Sequence, residues 1–381
     1  MTSKNPSPSR TTHDEDLAKQ ARPGHGIPSQ DPRLSAQFAL STEETRRETG
    51  SVLMGSDLVV GAATGAGVGA MMSGPVGILI GASLGAVTGV LGGVAATSAY
   101  VVLETALSTQ SVPDEEMRLH IEDSGGKGPP VVLIHGWPLS TKAWVPQVSV
   151  LRDAGYRVVT YDRRGFGRSA KSDSDYNYDT LADDLQCVMD QSGLKQVTLV
   201  GFSMGGGEVA RYVARHGNSR LHSVVFAAAV PPCLMQKTDN PEGPLTPEKA
   251  RASRLALEQD RDTFFNEFTR DFFSANGVLM VDETQRQEAI EMCQQSAQHA
   301  ALACMDAFHT TDFREDLEKI TVPTLVIHGD ADVIVPIEGS GERINRAIHH
   351  SQMVRVIGAP HGLNVSHAKA FNDALLAFLK S

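Results

Sequence analysis

Residues 201–205 read Gly-Phe-Ser-Met-Gly, and their setting constrains the fold more than any other feature of the chain. An apolar run, Gln196-Val197-Thr198-Leu199-Val200, leads into them, and a helix-like segment from Gly207 to Arg215 follows. Strand, sharp turn and helix form the context in which G-x-S-x-G is a nucleophile elbow. The turn is strained, and side chains at Gly201 and Gly205 would collide with neighbouring backbone. The strain holds the Ser203 hydroxyl at the top of a sheet, within reach of a base. The plain alternative is a glycine-rich turn with an idle serine, and the residues downstream weigh against it.

A serine hydroxyl needs an adjacent base, and the base needs an orienting acid. In this architecture the order along the chain is Ser, then Asp or Glu, then His. Val322 to His328 has the composition of a buried strand and ends in Gly329-Asp330-Ala331-Asp332. A triad carboxylate belongs just past such a strand; Asp332 is preferred and Asp330 competes. A second strand, Met353 to Ile357, runs into Gly358-Ala359-Pro360-His361-Gly362. Of the 13 histidines, His361 alone satisfies both the order and the loop context. His349 and His350 read as a solvated pair at a helix end, His328 as a residue inside a strand, and His216 as a residue after a helix. Val131 to Ile134 is another apolar strand and ends in His135-Gly136-Trp137-Pro138. One oxyanion N–H comes from the residue after the nucleophile, Met204, and the other from a loop after an earlier strand, here Trp137. Pro138 has no N–H to give. His135 reads as a helper that fixes the loop through hydrogen bonds.

His135 to Pro138, Tyr161 to Ser169 (YDRRGFGRS), Leu199 to Arg211 (LVGFSMGGGEVAR), His328 to Pro336 (HGDADVIVP) and Gly358 to Gly362 (GAPHG) resemble the cofactor-free bacterial haloperoxidases and arylesterases of the α/β-hydrolase superfamily. The resemblance spans roughly residues 115–381. It implies an α/β-hydrolase fold, with a mostly parallel central sheet and a helical lid. It implies a triad of Ser203, Asp332 and His361, with Trp137 and Met204 as oxyanion donors. It supports Asp332 over Asp330, because the family acid is the second Asp of G-D-x-D. It implies hydrolysis of small carboxylic esters through an acyl-enzyme, with peracid formation from a carboxylic acid and hydrogen peroxide as a side activity. It implies neither metal nor haem.

Net charge is −11, and no basic patch with interleaved aromatics is visible, which argues against a nucleic-acid partner. Cys187, Cys233, Cys293 and Cys304 show no C-x-x-C spacing and read as buried thiols of a reducing compartment. The N-terminus is polar and lacks the apolar core of a signal peptide.

Residues 1–50 are polar and proline-punctuated and read as a disordered tail. From Leu58 to Leu103 there is no charged residue. Glycine recurs every fourth position, at 61, 65 and 69 and again at 77, 81, 85, 89 and 93, and Ser73-Gly74-Pro75 marks a turn between the two series. That spacing lines one helix face, lets a second helix approach closely, and matches the packing of small residues in membrane helices. Glycine costs a helix in water about 1 kcal/mol per residue, which disfavours a soluble helix of this composition. Residues 51–108 are therefore expected to form a glycine-zipper helical hairpin. Through residues 58–103 it would meet membrane lipid and join copies into a homo-oligomer, with the hydrolase on the cytoplasmic side if the hairpin spans twice and exported if it spans once; a soluble hairpin buried in an oligomer core and a flexible linker are the alternatives.

Residues 109–381 alternate strand and helix, which predicts a mostly parallel sheet. Expected elements are strands at Met117 to Asp123, Arg157 to Tyr161 and Leu221 to Val230, and a helix at Thr180 to Gln191. A lid over about 233–318 interrupts the alternation, with helices at Thr246 to Glu258 and Thr284 to Ala307. Its Phe264, Phe265, Phe268, Phe272 and Phe273 read as lid packing. The function expected is serine hydrolysis of small acyl or aryl esters. The alternatives are a membrane scaffold in which the hydrolase is secondary, or a thioesterase or lyase on the same fold.

Overall fold

Runs of Val, Ile and Leu that are apolar on both faces dictate the core of the chain. A computed structural model describes residues 118–171 and 175–381. The strands are β1 (His120–Asp123), β2 (Pro130–Ile134), β3 (Arg157–Asp162), β4 (Val197–Phe202), β5 (Leu221–Ala227), β6 (Ser274–Ala275), β7 (Val278–Leu279), β8 (Thr324–Gly329) and β9 (Gln352–Val356). Seven of them form one sheet in the order β1-β3-β2-β4-β5-β8-β9. Only β1 runs antiparallel, against β3. Residues 131–134 and 197–202 are buried throughout, as a sheet covered on both faces requires.

The strand order reverses between β2 and β4: β3 and β1 lie to one side, and β5, β8 and β9 to the other. Ile134 pairs with Gly201 across this point. Ligands of open α/β sheets bind at the carboxyl ends of the strands flanking such a reversal. Those ends carry the His135–Pro138 loop and the Gly201–Gly205 turn.

The helices that matter for the site are α1 (Val145–Asp153), α2 (Tyr178–Gln191), α3 (Met204–His216), α4 (Pro247–Gln259), α5 (Arg261–Phe273), α6 (Glu283–Gln294), α7 (Gln298–Thr310), α8 (Arg314–Leu317) and α9 (Gly341–Ala347). Asn177 caps α2 through the Thr180 N–H, and Asp282 with Gln285 forms a capping box on α6. Helices α4 to α7 and the short β6–β7 hairpin make up the lid.

Three expectations need correction. The single helix predicted from Thr284 to Ala307 is two. Helix α6 stops at Gln294 because Ser296 Oγ donates to the Cys293 carbonyl at 2.6 Å, and Arg261 Nη2 donates to the carbonyls of Cys293, Gln294 and Ser296. Strand β5 stops at Ala227 rather than Val230, because Ala228 turns to φ +41°. Cys187 is exposed, on the outer side of α2, whereas the other three thiols are buried; all four are free. The tail at 1–50 and the glycine-rich hairpin at 51–108 lie outside the described residues. Among the described residues no helix is long and apolar enough to cross a membrane.

Candidate active site

The elbow begins where β4 ends. Ser203 sits at φ 54°, ψ −118°, a conformation that costs a non-glycine residue about 1–3 kcal/mol unless its surroundings hold it. They do: the Ser203 N–H donates to Ala227 O at 2.9 Å, and its carbonyl accepts from the N–H groups of Val230 and Gly206. A Cβ on Gly201 would lie 2.5 Å from the Gly205 carbonyl oxygen, and one on Gly205 would lie 2.6 Å from that of Ile134. Both obstacles are backbone, so only glycine fits, as the sequence predicts.

The three residues expected to act together are in contact. His361 Nε2 lies 2.9 Å from Ser203 Oγ, and His361 Nδ1 lies 2.7 Å from Asp332 Oδ2. Because a carboxylate only accepts, Nδ1 carries the proton, and Nε2 is left to accept from the serine hydroxyl. All three side chains are buried. The rings of Phe202 and Phe272 flank the imidazole at 5.3 and 5.1 Å, and Phe272 O accepts the Gly362 N–H, which docks the lid on the histidine loop. Asp332 Oδ1 accepts from the N–H groups of Ile334 and Val335 at 2.9 and 2.8 Å. Burial raises the pKa of this carboxyl, but the charge of His361 and hydrogen bonds from His328 and His361 outweigh it and hold the pKa at about 2. Asp330 has another task. It is exposed, and its Oδ1 takes the Gly358 N–H at 2.6 Å, which fastens the loop leading to His361.

The loop from β2 packs on the serine. A Cβ on Gly136 would lie 3.1 Å from Ser203 Cβ. Met204 opens α3, where the first N–H has no intrahelical acceptor. Among the described residues the backbone N–H groups of Trp137 and Met204 have no protein acceptor, which leaves both free for a developing oxyanion. His135 does fix this loop. Its Nε2 accepts the Arg163 N–H at 2.9 Å, so its Nδ1 donates to Gly136 O at 2.8 Å. That carbonyl shares a peptide plane with the Trp137 N–H, so the bond sets the direction of the donor. Burial and the charge of Arg163 lower the His135 pKa to about 3, which keeps the ring neutral. The Trp137 ring is held by Nε1–H to Ala301 O at 2.9 Å and by Phe264, Phe265, Phe268 and Phe308 at 5.4–6.2 Å. These phenylalanines, with Phe272, therefore pack, as expected, but what they pack against is the Trp137 ring and the His361 imidazole.

Two features escaped the sequence reading. The first is a buried network behind the loop. Arg163 Nε donates to Glu208 Oε1 at 2.6 Å, its Nη2 also pairs with Glu208 and donates to His135 O at 2.6 Å, and Tyr161 Oη donates to Glu208 Oε2 at 2.7 Å. Burial pushes the Glu208 carboxyl up, against the pull of Arg163 and Tyr161. This ties the nucleophile helix to the oxyanion loop. The signal was a charged residue on the sheet-facing side of α3, four positions after Met204. The second is His328, whose Nε2 lies 3.2 Å from Asp332 Oδ2. Among the described residues no group of three or more His, Cys, Asp or Glu side chains is arranged to hold a metal ion.

A reversal in a parallel sheet, a strained serine on the turn after β4, and an acid and a histidine past β8 and β9 define a class. Residues 129–368 match the alpha/beta hydrolase fold family, and the chain belongs to it. Within that family its similarity runs to non-haem haloperoxidases and esterases. It is 44% identical over 266 residues to a putative non-heme chloroperoxidase of Synechocystis sp., covering 69% of this chain and 95% of that one. It is 35% identical over 267 residues to a bifunctional esterase/perhydrolase of Acinetobacter calcoaceticus, covering 68% and 95%. A crystal structure of a bromoperoxidase from Bacillus anthracis superposes with a TM-score of 0.68 at 49% identity, covering 70% of this chain and 96% of that one.

Proposed function

We propose that the protein is a serine esterase for small acyl or aryl esters, with perhydrolysis as a second outcome at the same site. The unbroken pair of hydrogen bonds from Ser203 to His361 to Asp332 carries this reading. Ser203 Oγ attacks the ester carbonyl carbon while His361 Nε2 takes its proton. The oxyanion forms against the N–H groups of Trp137 and Met204, where each such donor typically contributes about 3 kcal/mol. The imidazolium returns the proton to the departing alkoxide, leaving an acyl-enzyme and an alcohol. Water then attacks the acyl carbon, with His361 again as base, and releases the acid. When hydrogen peroxide attacks in place of water, the product is the peracid. The esterase and perhydrolase named among the relatives supports both outcomes. Ser203→Ala should lower ester hydrolysis by several orders of magnitude with the fold intact, as removal of a triad member does. Retention of fluorophosphonate labelling in that variant would remove Ser203 from the mechanism.

We further infer that residues 58–103 anchor the enzyme in a membrane and join copies, with the hydrolase on the cytoplasmic side. What supports this is the charge-free run and its glycine spacing. Fractionation and sizing in mild detergent test it: full-length protein should require detergent and form an oligomer, and deletion of residues 1–108 should release active monomer. A detergent-free monomeric full-length protein refutes both parts.

A further inference from the structure

The acid of the triad is touched by two histidines. His328, near the end of β8, is fully buried. Its Nε2 lies 2.8 Å from the Val335 carbonyl oxygen and 3.2 Å from Asp332 Oδ2. Both of these oxygens accept, so Nε2 carries a proton, and in the uncharged tautomer Nδ1 holds the lone pair. That Nδ1 is buried with no hydrogen-bond partner and faces Gly341 at the start of α9, where a Cβ would lie 2.6 Å from it. An unmet buried acceptor is costly, and an apolar side chain would fill a strand position without that cost. A local rule broken beside a reactive centre marks a residue kept for use.

The donors on Asp332 show what the use is. Oδ1 takes two backbone N–H groups, from Ile334 and Val335. Oδ2 takes His361 Nδ1–H, and His328 Nε2, whose N–H is held by the Val335 carbonyl, lies 3.2 Å from the same oxygen. The Val335 carbonyl that His328 holds belongs to the residue whose N–H binds Oδ1, so the imidazole clamps the carboxylate and its turn together. The titratable groups on this carboxylate are His361 and His328. The other neighbours of His361 are Ser203 and the rings of Phe202 and Phe272.

We propose that His328 is a positioning residue for the triad acid: its Nε2–H, anchored on the Val335 carbonyl, fixes the turn that holds Asp332 and lies beside the oxygen that receives His361, so tempering the negative charge offered to the imidazolium. The proposal rests on the serine-esterase reading and deepens it. Without the donor, Oδ2 becomes more basic and the imidazolium keeps its proton to higher pH. The carboxylate also loses one of its restraints.

The test is a pair of variants and one measurement on the native chain. His328→Phe removes the donor and should move the acid limb of kcat/KM upward by about half a pH unit or more, with kcat lower by about tenfold and KM unchanged. His328→Gln keeps an N–H and should recover most of both effects. Nitrogen-15 NMR of histidine-labelled native enzyme should find His328 protonated at Nε2 and bare at Nδ1. A proton on Nδ1 overturns the proposal whether or not the variants fold. So does a folded His328→Phe enzyme with the native acid limb, or one that loses kcat with no shift and no rescue by Gln. None of these results touches the esterase reading, which stands or falls on labelling of Ser203.

Discussion

Burial depresses the pKa of His135 and of His309, and that makes stability sensitive to mild acid. Burial and the charge of Arg163 lower the His135 pKa to about 3, and burial lowers the His309 pKa to about 4. Both titrate near 6.5 when unfolded. A depressed pKa leaves stability unaffected above the unfolded value. Below it, the unfolded chain binds a proton that the folded chain does not, and stability falls until the folded pKa is reached. The window is therefore pH 6.5 down to about 4 for His309 and down to about 3 for His135. Between pH 7 and pH 5 each contributes a loss of about 2 kcal/mol, about 4 kcal/mol together, which is large against a typical total of about 5–15 kcal/mol. Burial raises the Asp184 and Glu208 carboxyls, and these oppose the loss, so the clean quantity is a difference between variants. His309→Gln removes one titrating group from α7. Its loss of stability between pH 7 and pH 5 should be smaller than that of the native protein by about 2 kcal/mol. Urea denaturation followed by tryptophan emission reads this, because the two tryptophans, Trp137 and Trp144, are both buried in the hydrolase. Equal losses in the two proteins would refute the assignment of His309 as a buried neutral group.

Asp332→Asn should lower turnover by about 10⁴, because it removes the acceptor that sets the His361 tautomer. Asp330→Asn disturbs one exposed bond to the Gly358 N–H, worth about 1 kcal/mol, and should cost far less activity; ester kinetics of the two variants that ranked them the other way would exchange their roles. Glu208→Gln leaves the buried Arg163 charge uncompensated, and urea denaturation at pH 7 should show a loss of about 3–5 kcal/mol; a loss below 1 kcal/mol would mean that the pair is not sealed from water.

The legible part of the molecule is the part written locally. The elbow is five residues long, and the glycines at 201 and 205 announce the close backbone approach that the structure contains. The acid and the histidine each follow an apolar strand, so their placement needs only the rule that chemistry gathers at the carboxyl ends of parallel strands. The choice of Asp332 over Asp330 required the family resemblance, because both follow β8 and only three-dimensional structure separates a carboxylate aimed at His361 from one tied to Gly358. The β6–β7 hairpin is written locally too: Asn276-Gly277 is a hairpin turn signal, and both residues have positive φ, 51° and 78°. The break between α6 and α7 is only half legible, since Ser296 is local but Arg261, which holds the same carbonyls, lies more than 30 residues earlier in the chain.

What the sequence could not show is how the catalytic parts are held in register. Glu208 lies four residues after Met204 and so faces the sheet, and a charge on a buried face demands a buried partner. Nothing in the order of residues picks Arg163, 45 positions away, from among the other arginines. Once that pair is in place, its second function follows from geometry. Arg163 also grips the His135 carbonyl and, through its backbone N–H, the His135 ring, which in turn sets the peptide that carries the Trp137 N–H. In the proposed mechanism the first residue of α3 supplies one oxyanion donor and the loop supplies the other, and the ion pair spans the two elements. A shift of the helix against the loop would therefore have to stretch a buried charge pair, so the desolvated ions resist the very motion that would pull the oxyanion donors apart.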